Sequence, residues 1–189
     1  MMLRAAIVLA GGRASRLGGT DKASLDVDGR PLVDHVYAAV AGCAPVIAVG
    51  PGSLARPGVL VVREEPAFGG PVAALAAALR AVAELSAGSP AHEPGAECWL
   101  LACDLPRAAQ IVAALEEVPL PTGADAVVLS DRDGRAQWLA GRYRLDSLVR
   151  AVGTLGVVEN AALRQLLAPL TVHTVPDTTG ASLDLDTWP

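Results

Sequence analysis

The run Ala5-Ala6-Ile7-Val8-Leu9, followed at once by Ala10-Gly11-Gly12, constrains the architecture more than any other stretch of this chain. A strand with one wet face alternates apolar and polar residues. Five apolar residues in succession leave no face for water. The strand expected over Leu3–Leu9 is therefore buried on both sides, as inner strands of parallel sheets are when helices cover them. The first 120 residues repeat this theme. Apolar segments at Val46–Val49, Val59–Val62 and Cys98–Cys103 alternate with helical patterns at Pro31–Ala41, Val72–Leu85 and Pro106–Val118. Proline opens or precedes each helical pattern, as its fixed φ allows. Short links between such elements make neighbouring strands parallel and the crossovers right-handed. The expected fold is α/β: a doubly wound, mostly parallel sheet whose ligands bind at the carboxyl ends of its strands.

The remainder reads as a small mixed C-terminal part. Asp125–Leu129 and Gln137–Tyr143 flank the turn Asp131-Arg132-Asp133-Gly134 and form an expected hairpin. Helices are expected at Leu145–Val152 and Asn160–Leu167, with short strands at Leu170–Val175 and Ser182–Asp186. Residues 86–95, SAGSPAHEPG, read as a loop. Only 3% of the 189 residues are aromatic while 52% are hydrophobic, so the core must be built from Ala, Val and Leu. A net charge of −5 without any basic run argues against nucleic-acid and anionic-membrane partners. No apolar run approaches the roughly 20 residues of a spanning helix. The cysteines, Cys43, Cys98 and Cys103, have neither zinc nor redox spacing. They read as reduced thiols of a cytoplasmic protein.

The chemistry concentrates between Leu9 and Lys22, in LAGGRASRLGGTDK. Gly11, Gly12, Gly18 and Gly19 let backbone amides approach an anion. Arg13, Arg16 and Lys22 add three cations to the same short span. Spacing excludes two common cradles. Lys22 follows Asp21 rather than the glycine of a P-loop, and Ala14 occupies the middle glycine of a dinucleotide fingerprint. Lys22 is also the chain's single lysine beside 14 arginines. An ammonium is a compact charge on a flexible stem, whereas guanidinium is a wide planar fork. A position that must follow charge among crowded phosphate oxygens favours the ammonium.

These residues carry a resemblance. The stretch is similar to the L-A-G-G, basic, R, G, D-K signature of nucleotidyltransferases typified by molybdenum cofactor guanylyltransferase. The resemblance implies a single NTP-transferase domain over 1–189, with residues 1–120 as the nucleotide-binding half and 121–189 as the acceptor-binding half. It implies that Leu9, Ala10, Gly11, Gly12 and Arg13 wrap a nucleoside triphosphate. Lys22 and Arg16 would neutralise its phosphates and, with Asp104, carry catalysis. Gly12 and Asp21 point to GTP, because LAAG relatives and those with proline before the lysine use CTP. The implied acceptor is the phosphate of molybdopterin. Rival readings are CTP or another phosphorylated acceptor, such as a sugar phosphate or phospholactate, and a relative that binds GTP without catalysis.

Three further stations resemble the family. Cys103-Asp104-Leu105-Pro106 is similar to its C-D-x-P, where the aspartate holds Mg²⁺ against the phosphates. Without the resemblance, Asp104 reads equally well as the N-cap of the next helix. Arg63 to Pro71 resembles the R-D-x-x-P-G-x-G-P segment over ribose and base, which implies nucleotide contacts from Glu64, Gly69 and Gly70. Glu64 is one methylene longer than the family's aspartate, and Ala67 replaces a glycine. Ser182-Leu183-Asp184-Leu185-Asp186-Thr187 resembles the closing N/D-x-N/D-T strand. Residues i and i+2 of a strand face the same way, so Asp184 or Asp186 becomes the second Mg²⁺ ligand. On the acceptor side the expected residues are Gln137 and Arg142, with Arg135 and Arg144 close by.

Overall fold

A computed structural model describes residues 4–10, 16–17, 20–85 and 95–183, together with the side chains of all these except 16, 17, 20 and 21. Seven strands form one sheet: β1 (Ala5–Leu9), β2 (Val46–Val49), β3 (Val59–Val62), β4 (Glu97–Ala102), β5 (Ala126–Ser130), β6 (Ala136–Arg144) and β7 (Val172–Pro176). Their order across the sheet is β3-β2-β1-β4-β6-β5-β7. All pairings that do not involve β6 are parallel, while β6 runs antiparallel to both β4 and β5. The helices are α1 (Leu32–Ala39), α2 (Pro71–Leu85), α3 (Ala108–Glu116), α4 (Leu145–Leu155) and α5 (Leu163–Leu167).

The opening strand is covered on both faces, as its composition demands. Ala6 and Val8 join the core that includes Val33 and Val36 of α1 and Ile111 and Leu115 of α3. Ala5, Ile7 and Leu9 join the opposite core, with Val72 and Leu75 of α2, Leu148 of α4 and Leu166 of α5. Each fully buried Ile or Leu of these layers contributes about 2 kcal/mol through removal from water. The alanines of α2 let that helix lie close on the sheet: Ala74 and Ala78 are buried within the second core.

Several elements differ from the sequence expectation. Helix α3 starts at Ala108 rather than Pro106, because Pro106 and Arg107 form a turn ahead of it. The last helix is only Leu163–Leu167. Ala181 and Ser182 lie in a turn and Leu183 in no strand; the remainder of the expected final strand, Asp184 and Asp186 included, lies outside the described residues, as does most of the 86–95 loop. The expected hairpin is present but irregular. Ala136 pairs with Ser130, yet Gly141 pairs with Val128, so Gln137–Ala140 run out of step with β5. Such a slip bends a strand and re-aims its side chains. Gly141 makes it possible. A Cβ there would stand 2.5 Å from Val128 Cγ1 and 2.9 Å from the Tyr143 ring.

Candidate functional site

The site is built at the carboxyl ends of β1 and β4. These strands are neighbours, with Leu9 opposite Ala102. The Cys103 amide donates to the Leu9 carbonyl at 3.1 Å, and the Ala10 amide donates to the Val49 carbonyl at 2.9 Å. From β1 the chain crosses to β2 on one side, while β4 flanks it on the other. This divergence is the switch point at which open α/β sheets leave a crevice. Leu9 and Ala10 are both buried, so what they bring to the crevice is backbone at the root of the loop. Gly11, Gly12 and Arg13 lie outside the described residues. The backbone of Arg16 forms a two-residue ladder with Asp21, which returns the chain to the sheet edge immediately before Lys22.

Lys22 opens a short 3-10 turn, Lys22–Ser24, that is pinned by its neighbours. Ala23 is 2% exposed in the core between α1 and the sheet, and the Leu25 amide donates to the Lys22 carbonyl. Lys22 itself is only 5% exposed. Its Nζ lies 3.9 Å from Asp104 Oδ2. That is longer than a direct charge-assisted hydrogen bond of about 2.8 Å, so the two charges share one corner without closing into a tight pair. Asp104 is aimed there by what flanks it. Cys103 and Leu105, at 4% and 3% exposure, are both turned into the α1–α3 core. The N-cap of α3 is Arg107, without a side-chain capping bond. Asp104 lies three residues ahead of that position and is not itself the N-cap residue of α3.

Beside Asp104 lies a cleft of about 320 Å³. One wall is the slipped stretch of β6, including Gln137, Trp138 and Leu139; Leu105, Leu163 and Ser182 complete it. The Gln137 amide nitrogen donates to Asp131 Oδ2 at 3.1 Å. Gln137 thus lines the cleft with its amide nitrogen turned to the hairpin. Trp138, Leu163 and Ser182 were not anticipated. A glycine inside a strand pattern marks a bulge, so Gly141 was the one signal that β6 would turn residues toward the cleft.

Glu64, Gly69 and Gly70 follow β3 at the same sheet edge. Glu64 is 8% exposed and its Oε1 accepts the Phe68 amide at 3.2 Å. The Gly69 amide donates to the Pro66 carbonyl and its carbonyl accepts from the Asn160 amide at 2.7 Å. A Cβ on Gly69 would sit 3.0 Å from both Pro66 O and Ala73 Cβ. Gly70 has φ +91, a backbone shape that side chains disfavour. The loop is thus tied to itself, to the segment at Asn160 ahead of α5 and, through the Gly70 carbonyl and the Ala74 amide, to the start of α2.

The family model for the MobA-like NTP transferase domain matches residues 6–175. The chain belongs to that family. A molybdenum cofactor guanylyltransferase of Pseudomonas putida (strain GB-1) is 34% identical over 113 residues, which are 56% of this chain and 52% of that protein. The chain therefore spans about half the length of this curated relative. Among solved structures, a 2-C-methyl-D-erythritol 4-phosphate cytidylyltransferase from Francisella tularensis superposes with TM-score 0.70 at 10% identity, covering 96% of this chain and 94% of that one. A molybdopterin-guanine dinucleotide biosynthesis protein A from Archaeoglobus fulgidus gives TM-score 0.58 at 20% identity, covering 95% and 90%. These two likenesses establish the NTP-transferase fold.

Within this fold one expected acceptor residue is misplaced. Arg142 is 2% exposed and sits opposite Trp99, well down β4 from the carboxyl edge. Its guanidinium stacks over the Trp99 ring at 5.9 Å, donates to the Val118 carbonyl and pairs with Glu97 at 3.2 Å. Burial, the leading effect, lowers its pKa despite the attraction of Glu97. Arg142 is a core ion-pair residue and is withdrawn from the acceptor side. The antiparallel course of β6 explains the error, since it points Gln137 at the cleft but carries Arg142 to the opposite edge. Arg144 goes further the same way, its Nε donating to the Ala124 carbonyl. Arg135 is exposed in the hairpin turn and pairs with Asp133.

Among the described residues, no cluster of three or more His, Cys, Asp or Glu forms a metal site. Asp104 supplies one oxygen donor at the crevice. One or two carboxylates with phosphate oxygens and water suit Mg²⁺, which seldom takes an all-protein cage. The donor set fits that ion. No helix among the described residues is long and apolar enough to cross a membrane.

Proposed function

We propose that this chain transfers GMP from GTP to the phosphate of molybdopterin, or of its molybdenum-loaded form, with release of pyrophosphate. The observation that supports this most is the 3.9 Å approach of the unique Lys22 to Asp104 at the crevice between β1 and β4. A buried ion pair carries a desolvation penalty and is weak evidence for stability, so its placement at a crevice points to a role of its own. Here it stands where the glycine-rich loop ends.

In this reading an oxygen of the acceptor phosphate attacks the α-phosphorus of GTP. The bond from that phosphorus to the bridging oxygen breaks, and pyrophosphate leaves with its electron pair. The acceptor is already anionic near neutral pH, so no side chain need remove a proton. What the protein supplies is alignment and charge. Lys22 and Arg16 hold the phosphates, with backbone amides at Gly11 and Gly12. Glu64 keeps the 64–70 loop in shape, and Gly69 and Gly70 give the nucleoside a flat approach. Gln137 contacts the acceptor. Asp104, with Asp184 or Asp186, would hold Mg²⁺. That ion, when bound, supplies Lewis-acid neutralisation of the leaving phosphates.

Pyrophosphate release tests the reading, measured with GTP, CTP, ATP and UTP across molybdopterin, a sugar phosphate and phospholactate. Release with GTP and molybdopterin alone is the expected result. Release with CTP, or with another acceptor, replaces the substrate assignment. Nucleotide binding without any release removes the enzymatic one.

A further inference from the structure

We infer that Trp138 is an acceptor-specificity residue: its indole forms the seat for a flat heteroaromatic ring carried by the acceptor. This inference rests on the transferase reading given above. It starts from the slip in β6. Between Ala136 and Gly141 the strand leaves the register of β5, and the residues so released line the cleft beside Asp104. An aromatic side chain in regular register would lie on one sheet face against its cross-strand neighbours. Trp138 instead packs in part on the core beneath α2 and α4 while also lining the cleft.

The placement is held from below. The Tyr143 hydroxyl donates to the Trp138 carbonyl at 2.7 Å, and Tyr143 is fully buried. Gly141 admits the close crossing of β5 that the slip requires. With its backbone held in this way and its side chain packed in part on the core, Trp138 is a rigid platform, and stacking of a flat ring on it needs little ordering on binding. Gln137 adds direction. Its amide nitrogen is engaged by Asp131 and by the Arg135 carbonyl, so its oxygen is the end presented to a ligand. The cleft thus offers an indole face and a hydrogen-bond acceptor within one corner. That pair suits a planar ring with N–H donors on its edge.

The experiment uses the full chain and two probes, a pterin bearing a phosphate monoester and ribose 5-phosphate. Binding is followed by tryptophan fluorescence and by calorimetry, in wild type, Trp138→Phe and Trp138→Ala. The pterin phosphate should quench wild-type fluorescence, and its Kd should rise about tenfold or more in Trp138→Ala. Trp138→Phe should retain most of the affinity while losing the quench. Affinity for ribose 5-phosphate and for GTP should be the same in all three proteins. Where turnover is measurable, Trp138→Ala should raise the acceptor KM with kcat nearly unchanged. Equal pterin-phosphate affinity in Trp138→Ala and wild type would overturn the inference, as would a parallel loss of GTP affinity. A wild type that binds the pterin phosphate through Trp138 yet never releases pyrophosphate sinks the transferase reading alone.

Discussion

At the scale of single residues, position 22 holds the chain's only lysine for a physical reason. The structure places that ammonium in a nearly closed environment, 5% exposed, with Asp104 3.9 Å away. A guanidinium would have to spread its fork in the same space between Ala23, which is locked in the core, and the Asp104 corner. It would still be positive, and it would still attract a triphosphate. It would not track oxygens that move during the reaction as a small ammonium can. Lys22→Arg is therefore expected to lower kcat by about 10²-fold, while the Kd for GTP changes less than about threefold. Single-turnover pyrophosphate release beside nucleotide titration separates the two quantities. Equal losses in both would mean that Lys22 serves binding only.

At the scale of elements, the sheet was legible because its signals are local. The doubly apolar β1, the alternation of strands with proline-led helices and the Asp131–Gly134 turn can each be read from a dozen neighbouring residues. So can the arrival of Asp104 at a strand's carboxyl end. The fate of Arg142 could not be read this way. Its position depends on which edge of the sheet β6 starts from, and that is fixed by pairing with β4, some 40 residues earlier in the chain. The cleft wall was hidden for a related reason, since a register slip is a relation between two strands. Gly141 is the residue on which that relation depends. Gly141→Ala would bring a methyl group within 2.5 Å of Val128 Cγ1 and 3.2 Å of the Val127 carbonyl. Overpacking of this kind costs about 1–3 kcal/mol. A lower melting temperature is expected in calorimetry, together with weaker acceptor binding as Gln137 and Trp138 shift. An unchanged melting temperature would show that β5 and β6 can part here at little cost.

For the whole molecule, the question is what holds the last strand at the sheet edge, since the chain reaches Ser182 and the cleft only through it. Two hydrogen-bonded carboxylates flank β7, one tying its start to α4 and the other ordering the turn that follows it. Asp125 precedes β5; it accepts the Thr171 amide at 2.9 Å and the Ser147 hydroxyl, and it pairs with Arg150. Asp177 follows β7 and takes five hydrogen bonds, from the amides of Thr179, Ala181 and Ser182 and the hydroxyls of Thr179 and Ser182. For both groups burial pushes the pKa up. The Ser147 and Thr171 bonds to Asp125, and the Ser182, Ala181 and Thr179 bonds to Asp177, more than offset it, so both end below the ordinary 3.8. A carboxylate whose folded pKa is depressed contributes stability that is complete above the unfolded value and is lost as pH falls through the folded one. Stability should thus be flat in these two groups from neutrality down to about pH 4 and decline below it. Asp177→Asn removes one of the two contributions, so its denaturant midpoint should be lower near neutral pH and should fall less steeply in acid. The variant should also weaken acceptor binding, because Ser182 lines the cleft and Asp177 holds it through two 2.7 Å contacts. Urea titrations at stepped pH decide the matter. If Asp177→Asn kept the wild-type slope below pH 4, the acid dependence would belong to other carboxylates and the charge of Asp177 would not matter to the turn it orders.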